Sequence, residues 1–214
     1  MILLNKKNVK SIVKNLENIQ EDDLRSDYVQ SCMPTESDVH DCKCPYCGCK
    51  DNYKYYCTYR RNITFVINNE VINFRVIVTR IICNSCDTTH ALLPYFIVPY
   101  KVYSFDAICS IVNDAANSSA LKVAEKLSIS YQLIYNFISV FFLFYKNASI
   151  LNNKNKYLSK LNKISYLKIF SSLCLDNDFR FDHLIFFKWV FLMSKFQNTN
   201  YNSVSIGMPQ NRYP

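Results

Sequence analysis

Two cysteine pairs of the same spacing carry the clearest chemistry in this chain: Cys44-Pro45-Tyr46-Cys47-Gly48 and Cys83-Asn84-Ser85-Cys86. Two residues between cysteines let the backbone bend until both sulfurs aim at one point. Two such knuckles supply the four soft ligands of a tetrahedral zinc ion. A closed four-thiolate site leaves no position for a substrate, so the expected role is to stabilise folding. Gly48 follows the first knuckle where the turn needs a positive φ, which glycine adopts without strain. Asp87 occupies the same place in the second, tolerable there but not ideal.

Other registers stay open at this point. Cys42 and Cys49 flank the first pair in the run CKCPYCGC, and His90 lies four residues past Cys86. With four cysteines already present, a structural role is preferred for His90. Cys32, Cys57, Cys109 and Cys174 read as buried or free thiols. Ten cysteines would also suit a secreted disulfide scaffold. However, MILLNKKNVKSIVKNLE has only a short apolar start and no small-residue cleavage site, so a cytoplasmic protein is expected, and paired C-x-x-C elements in a reducing compartment suit metal.

These cysteines need a scaffold that brings the two knuckles together. From Tyr53 to Ile82 the chain is rich in Thr, Tyr, Val, Ile and Phe in short runs broken at Asn68-Asn69, a hairpin pattern that would deliver Cys83 beside Cys47. The expected unit is a zinc ribbon. Before it, apolar positions from Ile2 to Ile19 recur at three and four, predicting an amphipathic helix. The run EDDLRSDYVQSCMPTESDVHD reads as an acidic linker containing Pro34. After Pro94 and Pro99, which argue against regular structure, Ser104 can cap a helix through Phe105, Ile108, Cys109 and Val112.

Residues 118–145 carry the pattern of a helix-turn-helix. Ala120, Val123, Ala124 and Leu127 form the inner face of one helix, Ser128-Ile129-Ser130 is the turn, and Ile134, Phe137, Ile138, Phe141 and Phe142 face inward from the next. Tyr131, Gln132, Tyr135 and Asn136 then face out. In the usual docking the start of the second helix enters the major groove, where Gln132 and Asn136 can pair with adenine. There is no Lys or Arg from Leu127 to Tyr145. Phosphate neutralisation would fall to Lys122, Lys126, Lys146, Arg60, Arg61, Arg75 and Arg80.

The formal charge of +8 is uneven: residues 1–43 carry a net −2, residues 44–103 a net +4, and each of 104–160 and 161–214 a net +3. Positive charge thus begins at the cysteine module, as expected for parts that approach a polyanion. The stretches Phe137 to Tyr145 and Leu184 to Met193 are too short for the roughly 18 to 20 residues of a membrane span, so no membrane association is expected.

The run TRIICNSCDTTHALLPYFIVPYKVYS, with CPYCGC upstream and VAEKLSISYQLIYNF downstream, resembles uncharacterised bacterial proteins with a transposase-like zinc ribbon and helix-turn-helix. It is similar to the amino-terminal DNA-binding part of insertion-sequence transposases, over about residues 40–145. Members commonly carry a basic residue near Asn136, which is missing here, and an aromatic at Phe137.

The expected fold class is α+β, in four parts: an N-terminal helix and acidic linker (1–41), a zinc ribbon (42–103), a helix-turn-helix (104–146) and a helical or irregular C-terminal segment (147–214). The expected function is a zinc-containing DNA-binding protein, accessory to or remnant of a mobile element, with no catalytic domain of its own. The alternative is a protein-interaction scaffold, with a partner such as a recombinase. A metal-dependent nuclease would have to use Asp176, Asp178 and Asp182, which a solvated loop explains better. Two glycines leave little material for a P-loop or a Rossmann turn.

Overall fold

The computed structural model describes residues 2–4, 12–40 and 42–139. Within them the elements are β1 (Ile2–Leu4), α1 (Ile12–Glu17), α2 (Asp22–Ser31), a 3-10 turn (Glu36–Val39), β2 (Tyr53–Ile67), β3 (Glu70–Cys83), β4 (Thr89–Pro94), α3 (Phe105–Asn117) and α4 (Ala120–Leu127). Residues 131–139 are helical and are called α5. The architecture is mixed α and β. Strands β2, β3 and β4 are antiparallel, and β1 adds in parallel on β4, for the order β1-β4-β3-β2.

The long β2–β3 hairpin turns at Asn68 (φ 51°) and Asn69 (φ 66°). Two consecutive left-handed residues match the strand twist in a two-residue turn, and asparagine tolerates that conformation better than most residues. The ladder runs from Ile67 opposite Glu70 to Tyr53 opposite Cys83, with a register shift between Tyr55 and Cys57. The hairpin expected between the knuckles is therefore present, and it ends on a ligand candidate.

The sheet buries opposite faces at its two ends. On β3, Phe74, Val76 and Val78 join Ile63, Phe65 and Ile67 of β2 in the main core, against α1, α2, α3, α4 and α5. Further along the same strand Ile81 has the other parity, and it packs with Ile2, Val39 and Leu92 in a second, smaller cluster. Because successive side chains alternate across a strand, the two clusters lie on opposite faces. Adjacent β4 residues divide the same way, Leu92 into the small cluster and Leu93 into the main one.

Helices α3, α4 and α5 follow their sequence signals closely. The Ser104 hydroxyl accepts from the Ala107 N–H at 3.1 Å and that of Ser119 from the Lys122 N–H at 3.3 Å, each occupying a donor left over in a first helical turn. Ser128, at φ 51°, ends α4. Ile134 and Phe137 of α5 are buried, and Ile129 and Ile138 pack beside them.

Two expectations are corrected. Ile2–Leu4 is a strand paired with Leu92–Pro94, not the start of a helix, because an exposed sheet edge offers its backbone a partner that periodicity does not reveal. The acidic stretch is not a linker: Asp22–Ser31 is helical. Its acidic residues Asp22 and Asp23 sit in the first turn, where the helix dipole favours negative charge, and Val29 is buried. Strand β4, Thr89–Pro94, is short and ends in proline, so its residues carry little strand signal of their own. Among the described residues no helix is long and apolar enough to cross a membrane. Phe141, Phe142, Lys146, Cys174, Asp176, Asp178, Asp182, the second apolar stretch and the whole C-terminal segment lie outside the described residues.

Candidate metal centre

The two knuckles have one backbone pattern. In the first, the Cys44 N–H donates to the Cys49 carbonyl at 2.8 Å and the Gly48 N–H returns to the Cys44 carbonyl at 2.9 Å. In the second, the Cys83 N–H donates to the Thr88 carbonyl at 3.0 Å and the Asp87 N–H to the Cys83 carbonyl at 2.9 Å. Each turn closes through a left-handed residue at the same offset, Gly48 at φ 75° and Asp87 at φ 54°. The tight bend aims both sulfurs of a knuckle the same way. Asn52 ties the knuckles together: its backbone carbonyl and Oδ1 each accept from Asn84 at 2.9 Å, and its Nδ2 donates to Ser85 Oγ at 2.8 Å.

The sulfurs of Cys44, Cys47, Cys83 and Cys86 all lie within 4.8 Å of one another. Cys44 and Cys86 are 3.7 Å apart, as are Cys47 and Cys83, and all four are free thiols. A tetrahedral ion with metal–sulfur bonds of ~2.3 Å needs sulfurs roughly 3.8 Å apart, so two edges of the tetrahedron already have the required length. The group can hold a metal ion, and it is the set read from the C-x-x-C spacing.

The site is asymmetric in exposure. Cys44 and Cys83 are buried, Cys86 is half-buried and Cys47 is open to solvent. The Thr88 hydroxyl is the main influence that pulls the Cys86 thiol down to about 6. On Cys47 the Cys49 backbone amide acts in the lowering direction but is outweighed by desolvation and neighbouring sulfurs, which hold that thiol at about 12. Burial pushes Cys83 up as well. Four crowded sulfurs therefore favour early loss of one proton and retain others, and a divalent ion would displace those retained.

Of the other residues weighed as ligands, Cys49 Sγ takes a hydrogen bond from Ser85 Oγ at 3.1 Å. Neither Cys42 nor Cys49 belongs to the four-sulfur group. His90 is buried, with Nε2 3.3 Å from Cys44 Sγ and its ring edge-on to Tyr53. Its ring is pushed down to about 4, chiefly by burial.

Residues 44–130 match the model of a domain of unknown function, DUF6431. The match begins on the first knuckle cysteine and runs through β2, β3, β4, α3 and α4 to Ser130. It therefore takes in all four cysteines and His90. No curated protein and no solved structure matches the chain.

The candidate DNA contacts divide between the DUF6431 region and α5. Within the region, Arg60 and Arg75 are exposed and share a sheet face, since Arg75 opposes Asn62 and Arg60 opposes Ile77. Arg61 donates to the carbonyls of Val98 at 2.6 Å and Lys101 at 2.8 Å, anchoring the segment after β4. Arg80 bonds Thr89 Oγ1 at 2.6 Å and stacks over the Tyr56 ring. Lys122 is exposed, and Lys126 pairs with Asp114 at 3.3 Å. On α5 the exposed residues Tyr131, Gln132, Tyr135 and Asn136 form two self-contained pairs: Tyr131 donates its hydroxyl hydrogen to Tyr135 at 2.6 Å, and Gln132 Nε2 donates to Asn136 Oδ1 at 3.3 Å.

Proposed function

We propose that the chain is a zinc-stabilised DNA-binding protein, with the knuckles and hairpin acting as a zinc ribbon and α4–turn–α5 as a helix-turn-helix. In this reading it is accessory to, or a remnant of, a mobile element and has no catalytic domain of its own. The observation that carries it is the outward amide face of α5: Gln132 and Asn136 stand exposed one turn apart near the start of a helix whose opposite face is buried. Glutamine and asparagine side chains match the N6 and N7 edge of adenine, and the first turns of such a helix are the part that reaches base edges. The three-residue turn supports the same reading, because left-handed Ser128 reverses the chain while Ile129 stays packed against the core. Arg60, Arg75 and Lys122 supply exposed positive charge for phosphates.

Zinc suits the four sulfurs best, since a tetrahedral all-thiolate set favours zinc or iron–sulfur sites and zinc alone needs no redox partner. The proposal is tested by retention of purified protein on duplex DNA over a salt gradient. Retention at low ionic strength that weakens steeply with salt, and falls on Gln132→Ala or Asn136→Ala for one sequence class only, is the expected result. No retention at low salt would end this reading. A protein-interaction module is the second reading, favoured by the exposed, edge-stacked Tyr131 and Tyr135 rings, 4.5 Å apart at their centres. Co-purification of a stoichiometric protein partner without nucleic acid would support it.

A further inference from the structure

We infer that His90 is the positioning residue of the metal centre: it donates its Nε2–H to the Cys44 thiolate and stays outside the coordination sphere. This rests on reading the four cysteines as metal ligands. The geometry is set by the sheet. His90 opposes Ile81 in the β3–β4 ladder, two residues before Cys83, so the strand that delivers one ligand also fixes the backbone of the histidine that meets another. Its ring is held edge-on against Tyr53, which itself opposes Cys83, and is 3% exposed. Nε2 then lies 3.3 Å from Cys44 Sγ, a distance that suits an N–H···S hydrogen bond.

Proton bookkeeping gives the bond its direction. Cysteine bound to a metal is a thiolate with no hydrogen to donate, so the contact is a hydrogen bond only when Nε2 carries the proton. The neutral ring has one N–H, and placing it on Nε2 leaves Nδ1 as the acceptor.

Charge explains why a donor is favourable here. Four thiolates around a divalent cation leave two negative charges in excess, and an interior thiolate is costly unless hydrogen bonds spread that charge. Backbone amides reach at least three of the sulfurs: Cys49 for Cys47, Ser85 and Cys86 for Cys83, and Thr88 for Cys86. Cys44 is buried, and the histidine brings a side-chain donor to it. Partners of this kind orient ligands and typically change metal affinity by about 10- to 100-fold.

The full chain is loaded with zinc or with cobalt(II), and wild type is compared with His90→Phe and His90→Gln. Cobalt absorption reports the ligand set, chelator competition reports affinity, and long-range ¹H–¹⁵N NMR of the zinc-loaded wild type reports which ring nitrogen carries hydrogen. The expected result has four parts: one ion per chain, a four-sulfur cobalt spectrum unchanged in His90→Phe, affinity roughly 10- to 100-fold weaker in that variant, and partial recovery in His90→Gln, which retains a donor. The wild-type ring should be neutral and protonated on Nε2. A three-sulfur, one-nitrogen spectrum in wild type would overturn the inference by making His90 a ligand. Equal affinities in wild type and His90→Phe, or a proton on Nδ1, would overturn it while leaving the four-cysteine site intact. Failure of wild type to bind either ion would instead remove the metal reading itself. Should His90→Phe not fold, the tautomer and the His90→Gln affinity still decide.

Discussion

The side-chain amide of Gln30 makes two hydrogen bonds to the backbone of Ile77, accepting the N–H at Oε1 (2.8 Å) and donating from Nε2 to the carbonyl (3.3 Å). Strand β4 pairs with β3 only from Arg80 to Ile82, which leaves the β3 edge open at Ile77. Helix α2 closes it, with an amide standing in for a neighbouring strand. Gln30→Leu removes both bonds and should destabilise the chain by about 1 kcal/mol, since water can reach the freed groups. Urea unfolding checks it: the midpoint should fall with the slope unchanged.

The four-sulfur site predicts its own stoichiometry. Wild type should bind one zinc per chain, and Cys83→Ser should lose it, with a marked fall in melting temperature, because binding energy at a closed site is folding energy. Metal analysis after desalting, alongside thermal unfolding, measures both. Cys57→Ser should retain the ion, as Cys57 lies outside the group.

Zinc affinity should fall as the solution is acidified. Cys47, at about 12, and Cys83, also raised, both hold protons near neutrality in the metal-free protein, and the ion must displace them. At least two protons therefore leave per ion bound, so affinity should drop by about a hundredfold for each pH unit lost between pH 8 and 7. Chelator competition across that range gives the slope directly, and a slope near zero would mean the thiols are already ionised.

Arg60 and Arg75 are exposed on one face of the hairpin, whereas Arg61 is used up on the Val98 and Lys101 carbonyls. If the hairpin face contacts phosphates, Arg60→Ala and Arg75→Ala should each weaken DNA binding alike across sequences and lower the logarithmic salt slope by about one. Arg61→Ala should instead lower the melting temperature. A binding titration at several salt concentrations separates the two behaviours.

The parts of this molecule legible in its sequence are those governed by neighbours along the chain. A C-x-x-C bend, a left-handed residue after it, an Asn68-Asn69 turn and serines ahead of α3 and α4 are all local, and each is where the residue types place it. Helical spacing also marks Ile134, Phe137 and Ile138 as the inward residues of α5. What needed the folded chain involves partners far apart in sequence. Ile2–Leu4 is a strand only because β4 offers it an edge, and α2 forms under acidic sequence because Val29 finds the core. His90 reaches Cys44 across 46 positions. The same holds for the two clusters on opposite sheet faces, since alternation marks which residues share a face but only packing decides which face is covered at each end.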